Sequence, residues 1–302
     1  MSDFPHVIEG GGDLAAHFAA HKPTIDVALA EAGAVLLRGF AVPDADAFDA
    51  AVVGYGEPGF TYEESLSNAV RVNVTPRVFT ANEAPPTTEI HLHHEMAQTP
   101  LYPGKLFFFC EVAAEEGGAT PLCRSDLLYA RLQEEDPANA AAFASRGVRY
   151  SNVMPSENDA GSGQGRSWRS TLGVDTRGAA EQRLLSLGYE WEWRDDDSLR
   201  ATTPTLPAVR ALGDGRTSFF NQLIAAFRGW SDSRNDPARA VTFGDGEPIT
   251  REHMACAIDL AEELAYDHAW QAGDVVLVDN FAVMHGRKPF AGKRRVLASL
   301  VS

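Results

Sequence analysis

Along this chain the apolar residues fall mostly into short runs rather than long amphipathic stripes. AVLLRGF (34–40), KLFFFCEVA (105–113), TSFFNQL (217–223), DVVLVDN (274–280) and RRVLASLV (294–301) are rich in β-branched and aromatic residues. Runs of that length and composition predict strands, because such side chains pack well on a pleated surface. Turn residues separate them, with EEGG at 115–118 and GDG at 213–215 and 244–246. Helical spacing is confined to a few segments. DADAFDAAVVGYG (44–56) and RSDLLYARLQEE (124–135) predict helices, and TREHMACAIDLAEELAYDHAW (250–270) does so most clearly. There Thr250 can cap the first turn, while Met254, Ile258, Ala261 and Leu264 share one face. Strands far apart in sequence with helices at their flanks predict a mainly β fold, a sandwich or barrel decorated by helices. The stretch from about 135 to 215, rich in Gly, Ser, Asp and Arg, reads as an insertion over one mouth of that barrel. Insertions of that size are commonly functional lids. With no internal repeat and no long linker, residues 1–302 read as one domain.

Composition narrows the class without choosing a function. Apolar residues make up 44% and charged residues 23%, enough for a sizeable core. The net charge of −16, with no basic cluster to offset it, argues against nucleic acid as a partner. An anionic small molecule would therefore need a local, buried cationic clamp. The three cysteines, Cys110, Cys123 and Cys256, have the spacing of neither a disulfide framework nor a zinc site, which fits a reducing compartment. MSDFPHVIEGGG has neither the basic start nor the apolar run of a signal peptide, and no stretch approaches the length of a membrane span. The expected location is cytoplasmic.

Candidate chemistry concentrates in EIHLHHEMAQTP, where Glu89 to Glu95 include three histidines and two acids. In a strand, residues two apart share a face, so His91, His93 and Glu95 would line one side and Leu92 and His94 the other. An imidazole beside a carboxylate offers two of the three ligands of the facial triad of non-haem Fe(II) oxygenases. Spacing alone does not choose between His91 and His93. A third ligand is available in VDNFAVMHGRKPF, where His285 follows an apolar strand and a turn. Arginines stand nine and ten residues beyond it, at Arg294 and Arg295, and either could grip a carboxylate in a two-pronged fork. GGATPLCRSDLLY adds Thr120 after a Gly-Gly turn.

In these motifs, over about 72–132 and 218–302, the sequence resembles the TauD/TfdA superfamily of Fe(II)/2-oxoglutarate-dependent dioxygenases. It is most similar to the SyrP-like and clavaminate-synthase-like branch, whose metal motif is His-x-Glu. The resemblance implies a double-stranded β-helix (jelly-roll) core with flanking helices. It implies that His93, Glu95 and His285 bind Fe(II), and that Thr120 and Arg294 bind 2-oxoglutarate, with Arg295 on the opposite face. Related halogenases replace the carboxylate ligand with a small residue, so Glu95 argues against halogenation.

The implied reaction consumes O2 and 2-oxoglutarate, releases succinate and CO2, and hydroxylates an unactivated C–H bond of a small polar substrate. Substrates of the branch are often amino acids or amino-acid-derived groups in secondary metabolism, free or tethered to a carrier protein. A sulfonate or other organic acid, and desaturation or cyclisation from the same hydrogen abstraction, stand as alternatives. A cupin-like metalloenzyme without 2-oxoglutarate is a further one, but it would have no use for Arg294 and Thr120. For substrate binding, SGQGRSWRSTLG (162–173) offers Arg166, Trp168 and Arg169. FFNQLIAAFRGW (219–230) offers Asn221 or Gln222, only one of which could face a barrel interior from a strand.

Overall fold

Alternation along the strands decides which layer each side chain joins. In the computed structural model, which describes residues 4–61, 65–67, 71–81, 83–159, 165–229, 236 and 240–302, two sheets face each other. The larger is six-stranded, in the order His6–Glu9, Ala34–Arg38, Val275–Asp279, Lys105–Val112, Arg295–Val301 and Phe79–Thr80. Its first pair is parallel and the rest are antiparallel. The smaller has four antiparallel strands: Tyr266–His268, Thr120–Arg124, Val283–Arg287 and Ile90–His93. Leu36, Phe108, Cys110 and Val276 from the large sheet meet Leu122 and Val283 from the small one between the layers.

The neighbours of these residues point outward and are also covered. Leu37, Phe107, Phe109 and Leu277 lie under the helices Leu14–Ala32 and Ala45–Tyr55. On the other side Leu92, Cys123 and Met284 pack on the helices Ser125–Glu135, Pro137–Arg146, Leu223–Gly229 and Arg251–Leu264. Strands covered on both faces read as unbroken apolar runs, which is why AVLLR and KLFFFC show no polar alternation. Each fully buried Leu or Phe here contributes about 1.5–3 kcal/mol. The result is a jelly roll flanked by helices, the fold implied by the resemblance.

The region 135–215 is more regular than its composition suggested. Val148–Met154, Leu199–Thr202 and Glu190–Trp193 join Val241–Phe243 in a separate four-stranded sheet. The helices Trp168–Leu172 and Arg177–Ser186 pack on it around a core that includes Trp168, Leu184 and Leu199.

Two expected elements end early. The run 217–223 is a strand only at Thr217–Ser218. The Asn221 side chain then accepts from the Leu223 N–H at 2.9 Å, a turn that starts the helix Leu223–Gly229. The helix expected over 250–270 has its Thr250 cap but stops at Leu264. Ala265 is extended, and Tyr266–His268 pairs with Thr120–Leu122 instead.

Candidate active site

The strands Ile90–His93 and Val283–Arg287 are antiparallel neighbours, and His93 stands directly opposite His285. Their rings lie 4.4 Å apart, centroid to centroid. Glu95 sits just past the end of the first strand. The next residue, Met96, is buried with φ at 59°, a left-handed conformation that non-glycine residues rarely adopt. Such outliers collect at functional sites, where the surroundings hold them. Just before that bend the Glu95 carboxylate faces both histidines. Glu95 Oε2 is 3.5 Å from His285 Nε2 and 4.0 Å from His93 Nε2. The three ligand atoms lie within 4.8 Å of one another.

Hydrogen bonds fix the orientation of His93 and Glu95. His93 Nδ1 donates to the His91 carbonyl at 2.8 Å, which leaves the Nε2 lone pair facing Glu95. Burial first, then the neighbouring His285, lowers the His93 imidazole to about 4, so it is neutral and ready to ligate at neutral pH. Burial would raise the Glu95 carboxyl, but Arg71 foremost, with His285 and His93, holds it well below the usual range. Arg71 Nη2 donates to Glu95 Oε1 at 2.9 Å, and both side chains are buried. The backbone of Glu95 is held as well. Asn280 Oδ1 accepts from its N–H at 2.8 Å, and Asn280 Nδ2 donates to its carbonyl at 3.0 Å. Two imidazole nitrogens and one carboxylate oxygen, converging within 4.8 Å, are the donor set of a non-haem iron centre, and the residues fit that metal.

A second cluster lies on the neighbouring strand. Arg294 precedes the last strand by one residue, rather than lying on it, and its Nε donates to the Gly118 carbonyl at 3.0 Å. Its Nη2 reaches Thr120 Oγ1 at 3.4 Å. The same oxygen accepts from Trp270 Nε1 at 2.9 Å, so the Thr120 hydroxyl proton is left to donate elsewhere. Burial, then Arg287 nearby, pulls the Arg294 guanidinium down to about 10, still charged at neutral pH. Among the described residues no carboxylate pairs with it. A half-buried cation without an acid, beside a hydroxyl whose proton is still to be donated, is a ready site for a carboxylate. Arg295, by contrast, pairs with Glu111 at the surface.

The other candidates are placed differently. His91 lies outside the three-residue cluster, with Glu89 at 3.9 Å. His94 is fully buried behind it, with Nδ1 on the Asn280 carbonyl at 2.5 Å and the ring against Phe220. Trp168 does not wall a pocket: it is a fully buried core residue whose Nε1 donates to the Asp197 carbonyl. Asn221 is no strand residue facing a barrel, because its Nδ2 donates to the Ala208 carbonyl and its oxygen caps the Leu223 turn. Gln222 is buried too, donating to the His94 carbonyl at 3.0 Å. Arg166 bonds Ser170 and the Ser67 carbonyl. Arg169 lies over the Trp168 ring, with Asp197 at 3.5 Å and Glu157 at 3.8 Å. Residues 162–164 of that stretch fall outside the described residues. Sequence reasoning did not find Arg71, Asn280 or Trp270. Only Asn280 carried a signal, as a polar residue closing an apolar strand.

A jelly roll carrying two histidines and a carboxylate at one point of its small sheet has the architecture of the non-haem iron oxygenases. The chain belongs to the TauD/TfdA family of dioxygenases: the family model for taurine catabolism dioxygenase TauD, TfdA family, matches residues 6–300. It is 41% identical to a clavaminate synthase-like protein of Arabidopsis thaliana over 280 residues, 92% of this chain and 84% of that one. It is 29% identical to the dapdiamide synthesis protein DdaC of Enterobacter agglomerans, over 94% of this chain and 86% of that one. An asparagine oxygenase structure with Fe(II), 3-hydroxyasparagine and succinate shares the fold at a TM-score of 0.54 and 15% identity. That likeness covers 95% of this chain and 78% of the other. The protein is thus an oxidoreductase of the Fe(II)- and 2-oxoglutarate-dependent dioxygenase type, with O2 as the oxidant. Among the described residues, no helix is long and apolar enough to cross a membrane.

Proposed function

We propose that this dioxygenase hydroxylates an unactivated C–H bond of an amino acid or amino-acid-derived group, free or presented by a carrier protein, in secondary metabolism. His93, Glu95 and His285 would hold Fe(II), and Arg294 with Thr120 would hold the distal carboxylate of 2-oxoglutarate. Bound there, the metal and co-substrate supply oxidative decarboxylation and transfer of one oxygen atom from O2 to carbon. The observation that carries this reading is a pair of complementary sites: a triad of two imidazoles and a carboxylate, and a half-buried guanidinium with no carboxylate partner among the described residues, beside the Thr120 hydroxyl.

The chain's own residues act mainly by positioning. The His91 carbonyl selects the tautomer of His93, Arg71 occupies one oxygen of Glu95, and Asn280 fixes its backbone. Phe108 packs on the His285 ring at 5.1 Å and keeps that side of the site dry. No side chain needs to act as a general base, since the C–H bond is broken by the cofactor chemistry. The amino-acid assignment draws support from the 29% identical relative, whose name places it in dapdiamide synthesis. The separate sheet built from 148–202 and 241–243 would serve as the lid that selects the substrate.

Anaerobic titration of metal-free protein with Fe(II) and then 2-oxoglutarate tests the reading. A visible metal-to-ligand charge-transfer band should need both additions and be absent in His285→Ala. Folded wild-type protein that gives no band would overturn it.

A further inference from the structure

A cavity of about 50 Å³ lies where the metal-ligand loop meets the separate sheet and its helices. Among the described residues, none of the lining side chains is charged. Three polar atoms of that lining, Gln98 Oε1, Asn152 Oδ1 and Thr171 Oγ1, are buried without a hydrogen-bond partner. Thr171 is 2% exposed. Buried polar groups are almost always paired, so three orphans converging on one cavity call for an occupant.

We propose that this cavity binds an uncharged primary carboxamide. Such a group brings two N–H donors and one carbonyl acceptor. The donors match the two amide oxygens of Gln98 and Asn152, and the Thr171 hydroxyl can donate to the carbonyl. A carboxylate would bring its charge against two amide oxygens with no cation among the described lining residues, and an ammonium would find no anion among them. Met154 and Leu172 offer apolar surface to the carbon next to the amide. The volume suits three non-hydrogen atoms. It would also take a few waters, each needing roughly 10–15 Å³ of such space, so water is the competing occupant.

The cavity is tied to the proposed iron site through the chain. Gln98 follows Glu95 by three residues. Tyr150, also in the lining, accepts from the Gln222 N–H at 3.1 Å, and Gln222 Nε2 donates to the His94 carbonyl. The carboxamide is accordingly the anchored end of the molecule that is oxidised, an assignment that rests on the proposed function.

Saturation-transfer NMR on metal-free protein, with propionamide and propionate as probes, tests the cavity directly. Propionamide should bind with a dissociation constant in the millimolar range, as suits a ligand of so few atoms. Propionate should bind at least about tenfold more weakly. Asn152→Leu and Thr171→Val should each weaken propionamide about tenfold, and Thr171→Ser should retain it. Because the deleted atoms have no protein partner, both variants should melt no lower than wild type. Equal binding of the two probes, no propionamide signal, an undiminished signal in both variants, or only ordered water in propionamide-soaked crystals would each overturn the proposal. The charge-transfer titration does not involve this cavity. A band without propionamide binding removes the carboxamide site alone, whereas propionamide binding without a band removes the iron reading, and with it the link to an oxidised molecule, but leaves the carboxamide site.

Discussion

Glu95 has two carboxylate oxygens in different company: Oε1 receives the Arg71 guanidinium, while Oε2 faces the two histidines. On the proposed reading one oxygen is left for the metal, and Arg71 would have a positioning role acting through Glu95. Removing one partner of a buried pair leaves an uncompensated charge and costs about 3–5 kcal/mol. Arg71→Met should therefore lower the melting temperature of the metal-free protein, and a divalent cation should recover part of the loss by neutralising Glu95. The rise in melting temperature on adding Mn(II) should be larger in Arg71→Met than in wild type, with Arg71→Lys between them. Equal rises would show that Arg71 does not act through Glu95. Arg294 makes a separate prediction. A hydrogen bond to a charged group contributes about 1.5–3 kcal/mol, so Arg294→Ala should weaken 2-oxoglutarate roughly 10–150-fold in the band titration. Arg295→Ala should leave it unchanged, because its partner Glu111 lies at the surface side of that strand. The reverse outcome would move the clamp to Arg295.

At the scale of elements, the proposed metal site depends on how closely two strands approach. Gly286 sits between His285 and Arg287, and a Cβ there would run into the Ile90 carbonyl. Gly286→Ala should push the strand Ile90–His93 away from Val283–Arg287 and separate His93 from His285. Iron content after anaerobic loading should fall well below one per chain, measured beside the circular dichroism of the fold. Full loading would mean that the strands can yield without opening the site. The same scale shows what the sequence could and could not reveal. The unbroken apolar strands and the helix capped by Thr250 were readable, because their signals are local: composition in one case and 3.6-residue spacing in the other. The run Phe219–Leu223 misled because its apolar character comes from burial beneath helices, while Asn221 turns the backbone into a helix. His93, Glu95 and His285 stood out by residue type and motif. Arg71 and Asn280 did not, because they meet Glu95 only through contacts across 24 and 185 residues. Trp270 reaches Thr120 across 150, and no periodicity records such contacts.

For the whole molecule, the fold should weaken in acid well before its carboxylates are titrated. His268 is 1% exposed in the small sheet, stacked edge-on to Trp270, and its Nε2 lacks a hydrogen-bond partner. Burial lowers its pKa from 6.5 to about 4, against the opposing pull of Asp274. Asp274 is 3.6 Å from Nε2 but is already engaged by Arg38 through two hydrogen bonds. A histidine with a lowered folded-state pKa takes up its proton more readily when unfolded. The unfolded chain therefore binds more protons between pH 6.5 and 4, and stability falls as pH falls through that window. The drop from His268 alone is on the order of 3 kcal/mol. In His268→Leu the buried side chain is apolar and nothing titrates there, so the loss of melting temperature between pH 6.5 and 4 should be visibly shallower than in wild type. Both proteins are kept metal-free so that acid release of a metal plays no part, and His93, also lowered to about 4, contributes equally to both curves. Parallel curves for the two proteins would mean that His268 is not the group that takes up the proton.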